Sequence, residues 1–180
     1  HSGPFLDWGH FNWDPKFTKS GDDGVKKMVD KAKAEGIAVG VHTLSNFMTT
    51  NDAYVTPIPS DHLLKQGVLS LTTDLDKDQT EITIKKSDLF SMPMSLNAMQ
   101  IDKELITYGS MEDKGEMYLL KNCKRGAYGT TAATHSQKTL LYKLWDYPYK
   151  TLFPDLVLQD KFSDRLAEIM NKTGLCQISF

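Results

Sequence analysis

The sequence predicts an α/β fold with an all-β insert: partial (β/α) barrel elements flanking a small β-barrel- or sandwich-like module. Three observations carry this expectation. A helical pattern near the N-terminus runs into a continuous apolar, β-branched stretch. A central region alternates in period two, and a helix followed by an apolar strand returns at the C-terminal end. These shifts divide the chain into residues 1–62, a barrel segment; 63–144, an inserted β module; and 145–180, a continuation of the barrel segment.

Phe5-Leu6-Asp7-Trp8-Gly9-His10-Phe11 reads as a first short strand and the loop after it. Ser20 to Asp23 opens a helix, with acids at its positive end. Val25, Met28, Val29 and Ala32 share one helical face, and Gly36 ends the helix by taking a left-handed cap. Ile37 to Thr43 follows at once and is expected as a strand covered on both faces. In the middle region Val68–Thr72 and Thr80–Ile84 read as strands around a polar turn at Asp74–Gln79. Further strands are expected at 98–101, 104–108, 116–120 and 139–144, with turns at Asp102-Lys103 and Glu112–Gly115. Trp145 to Pro154 is an aromatic, proline-broken link. A helix over 159–172 then buries Phe162, Leu166, Ile169 and Met170, Gly174 stops it, and Leu175–Phe180 forms another buried strand.

Composition narrows the function classes. The chain has 180 residues, 40% hydrophobic and 24% charged, which suits a packed core and excludes a disordered tail. The net charge is -2 and the lysines are interleaved with acids, so nothing favours nucleic acid as a partner. No apolar run approaches the ~20 residues that span a bilayer, so no membrane partner is expected. Cys123 and Cys176 lack zinc-site spacing and read as two buried thiols. No motif calls for a metal or another cofactor. The start at His1 without Met, and the apolar run ending at Phe180, read as marks of a fragment.

In a (β/α) barrel, site residues lie at the C-terminal ends of strands. That rule selects Asp7, Trp8 and His10 after the first strand, and His42 and Asn46 after the second, as substrate-binding residues. Aromatic faces stack on the C–H faces of sugar rings, and imidazole and amide groups bond hydroxyls. Core packing is the competing reading for Trp8 and Trp13, as is a satisfied core histidine for His42. Asp52 is expected to brace the loop before Tyr54. A metal shared by His10, His42 and Asp7 has no support in their spacing. Arg125 to Thr130 lacks the lysine and helix of a phosphate loop and reads as a tight turn using Gly126 and Gly129. Asp102 and Glu104 read as a hairpin corner.

Gly21 to Thr43, and Leu166 to Phe180, resemble successive helix–strand stretches of α-galactosidase-like glycoside hydrolases. Ile101-Asp102-Lys103-Glu104-Leu105-Ile106-Thr107-Tyr108, with Cys123-Lys124-Arg125-Gly126-Ala127-Tyr128-Gly129-Thr130 and His135, resembles a β module of glycosidase-like proteins of gut Bacteroidetes. The resemblance implies a portion of a TIM-barrel glycoside hydrolase acting on an oligo- or polysaccharide, periplasmic or secreted, with the remainder of the parent barrel as partner. It implies a retaining mechanism with two carboxyl groups about 5–5.5 Å apart and a nucleophile beyond Phe180. Asp22 and Asp23 precede a helix and do not match that position. The other reading is a non-catalytic carbohydrate-binding or protein-interaction module that contacts its ligand through Trp8, Trp13 or the β insert.

Overall fold

The structure, a computed structural model, describes residues 3–92 and 94–179. His1, Ser2 and Phe180, on which the reading of the two chain ends rests, lie outside the described residues.

Helix α1 spans Gly21–Ala34 and buries Val25 and Val29, with Asp22 and Asp23 opposing the helix dipole in its first turn. It ends where Gly36 adopts φ 72°, a left-handed conformation that costs glycine little. Helix α2 spans Leu156–Thr173, three residues earlier than its apolar periodicity suggests. The reason is Asp155, whose carboxylate accepts the N–H groups of Val157 and Leu158 and so nucleates an extra turn. Leu158, Phe162, Leu166 and Ile169 form its buried face, and Gly174 at φ 74° caps its end.

Strand β1 (Gly40–His42) and strand β12 (Gln177–Ser179) form a two-stranded sheet, the one parallel pair among the described strands. The remaining sheets are antiparallel. β2 (Met48–Thr49), β10 (Asp146–Tyr147) and β11 (Thr151–Leu152) make a three-stranded sheet in the order β10-β11-β2. β3 (Lys65–Ser70), β5 (Ala98–Ile101), β6 (Glu104–Thr107) and β9 (Leu140–Leu144) make a four-stranded sheet in the order β3-β9-β5-β6. β4 (Ile82–Lys85), β7 (Ser110–Asp113) and β8 (Met117–Lys121) make the last, in the order β4-β8-β7.

This corrects the expected fold class. The described chain is a β-rich domain with two helices, not a set of partial (β/α) barrel elements around an insert. A barrel needs each strand flanked by parallel neighbours, and only β1 and β12 pair in that sense. The first apolar run fails as a strand. Gly9 at φ 131° and Phe11 at φ 51° fold the segment back, so Phe5 makes only an isolated antiparallel bridge with Trp13. β1 is also not a buried strand, since Gly40 and His42 are exposed. β3 and β4, consecutive around a turn, lie in different sheets. The expected turn at Glu112–Gly115 is partly strand, because β7 returns along β8. Cys123 is buried as expected, whereas Cys176 is exposed.

Two apolar cores are visible. One gathers Phe5, Phe11, Trp13, Val29, Met48, Leu152, Phe162 and Ile169 beneath the helices. The other gathers Leu71, Ile82, Ile84, Phe90, Ile101, Leu120 and Leu141 between two antiparallel sheets. The four-stranded sheet separates them. Along it Ala98, Leu105 and Leu144 join the first core while Met99, Ile106 and Leu141 join the second. Period-two alternation therefore serves two cores, which is why β5 is buried at every position.

Candidate functional site

Residues 6–10 run beside residues 49–52, tied by backbone and side-chain bonds. Trp8 N donates to Thr49 Oγ1 at 3.1 Å, and Thr49 N donates to Trp8 O at 3.1 Å. Asn51 Nδ2 donates to Leu6 O at 3.2 Å. The β10–β11 turn approaches from the other side, because β11 pairs Thr151 with Thr49. The result is an open cleft of about 490 Å³ lined by Leu6, Trp8, Thr49, Thr50, Asn51, Tyr149 and Lys150. Trp8 is half-buried against the first core, while Tyr149 is 63% exposed.

Beyond Trp8 the same pairing places His10 against Asp52. His10 N donates to Asp52 Oδ2 at 2.7 Å, and His10 Nδ1 lies 2.9 and 3.1 Å from the two carboxylate oxygens. Tyr54 N donates to Asp52 Oδ1 at 2.7 Å, and the Tyr54 ring stacks on the imidazole at 4.0 Å. Gly9 is required here. A Cβ on it would fall 2.5 Å from Asp52 Oδ2, and its φ of 131° disfavours any side chain. Burial pushes the Asp52 carboxyl above its ordinary range, against the lowering effect of the Tyr54 and His10 bonds. Burial and the neighbouring Asp52 charge raise the Tyr54 phenol.

The residues selected from sequence separate in space. Trp8 lines the cleft and His10 follows it. Asp7 turns inward, 6% exposed, and accepts Asn12 N at 3.0 Å and Asn12 Nδ2 at 2.8 Å, so it braces its own loop. His42 lies on the parallel pair, exposed, with Nδ1 3.1 Å from Ser179 Oγ. Asn46 is exposed in the loop between β1 and β2, and its side chain makes no hydrogen bond among the described residues. Asp52 does brace its loop, but as the buried partner of His10 it does more than sequence suggested. Thr49, Tyr54 and Tyr149 were missed. The spacing Asp52-x-Tyr54 was the one visible signal, and only the fold brings Tyr149 across.

A second polar cluster lies in the β-rich half. Glu104 is 1% exposed and accepts Arg125 Nε and Nη2 at 2.8 Å each, Gly126 N at 2.9 Å, Ala133 N at 3.1 Å and a bond from His135 Nε2 at 2.8 Å. Gly126 and Gly129 at φ 57° and 90° shape the turn, as expected from sequence. This cluster joins β6 to the 125–135 segment, and every carboxylate oxygen is used internally. Among the described residues no three His, Cys, Asp or Glu side chains are grouped to hold a metal ion. No helix among them is long and apolar enough to cross a membrane.

The fold and cleft define a β-rich domain carrying an aromatic and polar surface groove. No family model, curated protein or solved structure matches the chain.

Proposed function

We propose that the chain is a carbohydrate-binding module and that the cleft between Trp8 and Tyr149 receives the sugar. The observation that carries this reading is the lining of the cleft: an indole and an exposed phenol with threonine hydroxyls and an amide between them. Aromatic rings offer flat apolar surface to the C–H face of a pyranose, and short polar side chains bond its hydroxyls. The ring-bearing segments are fixed by β2 pairing with β11 and by the Trp8–Thr49 bonds, so little is lost in ordering them on binding.

Calorimetric titration of the intact chain with a panel of oligosaccharides tests this. Saturable binding is expected, and Tyr149→Ala is expected to weaken it about tenfold, or about 1.4 kcal/mol, without changing Tm. Absence of binding across neutral, acidic and amino-sugar oligosaccharides would overturn the reading. Release of reducing ends by the same preparation would replace binding by hydrolysis as the function.

A further inference from the structure

Asp52 is completely buried, yet the side chain paired with its carboxylate is a histidine rather than a lysine or arginine. That histidine is 38% exposed through its side chain. We propose that His10 and Asp52 form a proton-transfer dyad, in which Asp52 fixes the imidazole and His10 Nε2 takes a proton from the O–H group of water or a hydroxyl-bearing ligand. This proposal stands on the dyad geometry and does not depend on the carbohydrate reading.

The tautomer follows from the contacts. A neutral imidazole carries one N–H, and the other nitrogen accepts. Nδ1 faces both oxygens of a carboxylate at 2.9 and 3.1 Å, where a lone pair would be repelled, so Nδ1 holds the proton. Nε2 is then the basic atom, and it has no partner among the described residues. The ring cannot turn away, because His10 N binds the same carboxylate, Tyr54 stacks on the ring, and Gly9 lets the backbone press against Asp52. The charged groups around it are few. Asp52 and Tyr54 come from the 49–54 segment. From α2, Arg165 Nε donates to His10 O at 3.1 Å, while its Nη1 lies toward Glu168 and Asp22.

When a donor O–H gives its proton to Nε2, the O–H bond breaks and an Nε2–H bond forms. The positive charge on the ring is balanced by Asp52. With an activated ester, the freed hydroxide oxygen bonds to the acyl carbon and the bond to the phenolate leaving group breaks. The imidazolium then returns its proton to solvent. Asp52 is a positioning residue, acting through His10.

The test uses the intact chain and p-nitrophenyl acetate. Hydrolysis above the rate of buffer is expected, rising with pH as one group loses its proton. His10→Ala is expected to abolish that step and lower the rate at least fivefold, whereas His62→Gln, which removes an imidazole whose Asp155 partner is 33% exposed and already engaged in capping α2, is expected to leave it unchanged. Asp52→Asn places an amide donor opposite Nδ1 and is expected to remove most of the rate. Long-range ¹H–¹⁵N spectra of the unmutated chain give an independent reading, with the neutral His10 ring expected to carry its proton on Nδ1. A proton on Nε2, or a His10→Ala rate equal to that of the parent, would overturn the proposal.

Discussion

Lys143 is fully buried between the rings of Phe90 and Tyr108, 5.7 and 5.1 Å from its ammonium, and its Nζ has no hydrogen-bond partner among the described residues. Burial pushes it down from its ordinary 10.5 to about 8, with Asp146 acting in the opposite direction. The folded value lies below the unfolded one, so between them the unfolded chain binds more protons and stability rises with pH. Below about pH 8 the penalty is fully present, about 3 kcal/mol at 1.4 kcal/mol per tenfold. Lys143→Met keeps the volume and removes the charge. It is expected to raise stability at pH 7 by about 2 kcal/mol in urea denaturation, with the gain shrinking toward pH 10. A loss at pH 7 would show that the ring contacts outweigh desolvation. Gly9→Ala is expected to cost about 2 kcal/mol by the same measurement, since its Cβ meets the Asp52 carboxylate at a positive φ. Neither residue stands out in the sequence. Lys143 is a single charged residue in the otherwise apolar strand Leu140–Leu144, with nothing local to mark it as buried, and Gly9 is one of several loop glycines.

At the scale of elements, Glu104 ties β6 to the loop that follows β8. Burial alone would raise its carboxyl, but the bonds from Arg125, His135, Gly126 and Ala133 prevail and hold it below the ordinary 4.5. The unfolded chain therefore takes up this proton at the higher pH. The stabilisation is complete above the ordinary value and is lost as pH falls through the lower folded one. Glu104→Gln is expected to destabilise by about 3–5 kcal/mol at pH 6, because Arg125 loses its buried counter-charge and the bond to His135 Nε2 is disturbed. The deficit relative to the parent should narrow at pH 3, and chemical denaturation at the two pH values reads it. A deficit that is the same at both would remove the charge from the explanation. Sequence marked Glu104 and Arg125 only as turn residues, since partners 21 positions apart cannot be paired by local pattern. Helices were more legible. Apolar spacing located α1 and α2, and only the Asp155 cap moved the start of α2.

For the whole molecule, the shared four-stranded sheet couples the two cores. Ala98 and Met99 are neighbours in β5 but belong to different cores, so unfolding one core strips a face from the other. Thermal melts followed by tryptophan fluorescence, which reports Trp8 and Trp13 at the first core together with Trp145 at the end of the four-stranded sheet, and by far-UV circular dichroism should coincide in one transition. Two midpoints would mean that the cores unfold separately. By itself the sequence determined the helices and their glycine stops. It also located most strands in the middle region and the aromatic loop that carries Trp8 and His10. These depend on side-chain periodicity, capping and turn chemistry within a few residues. Tertiary structure alone decided which strands pair, that β3 and β4 part into separate sheets, and that Tyr149 lines the same cleft as Trp8. It also decided that the chain is β-rich rather than part of a barrel, and that Asp52 is the partner of His10. Pairing is settled by the burial of faces and backbone bonds between segments tens of residues apart, and no local pattern encodes which distant edge will meet which.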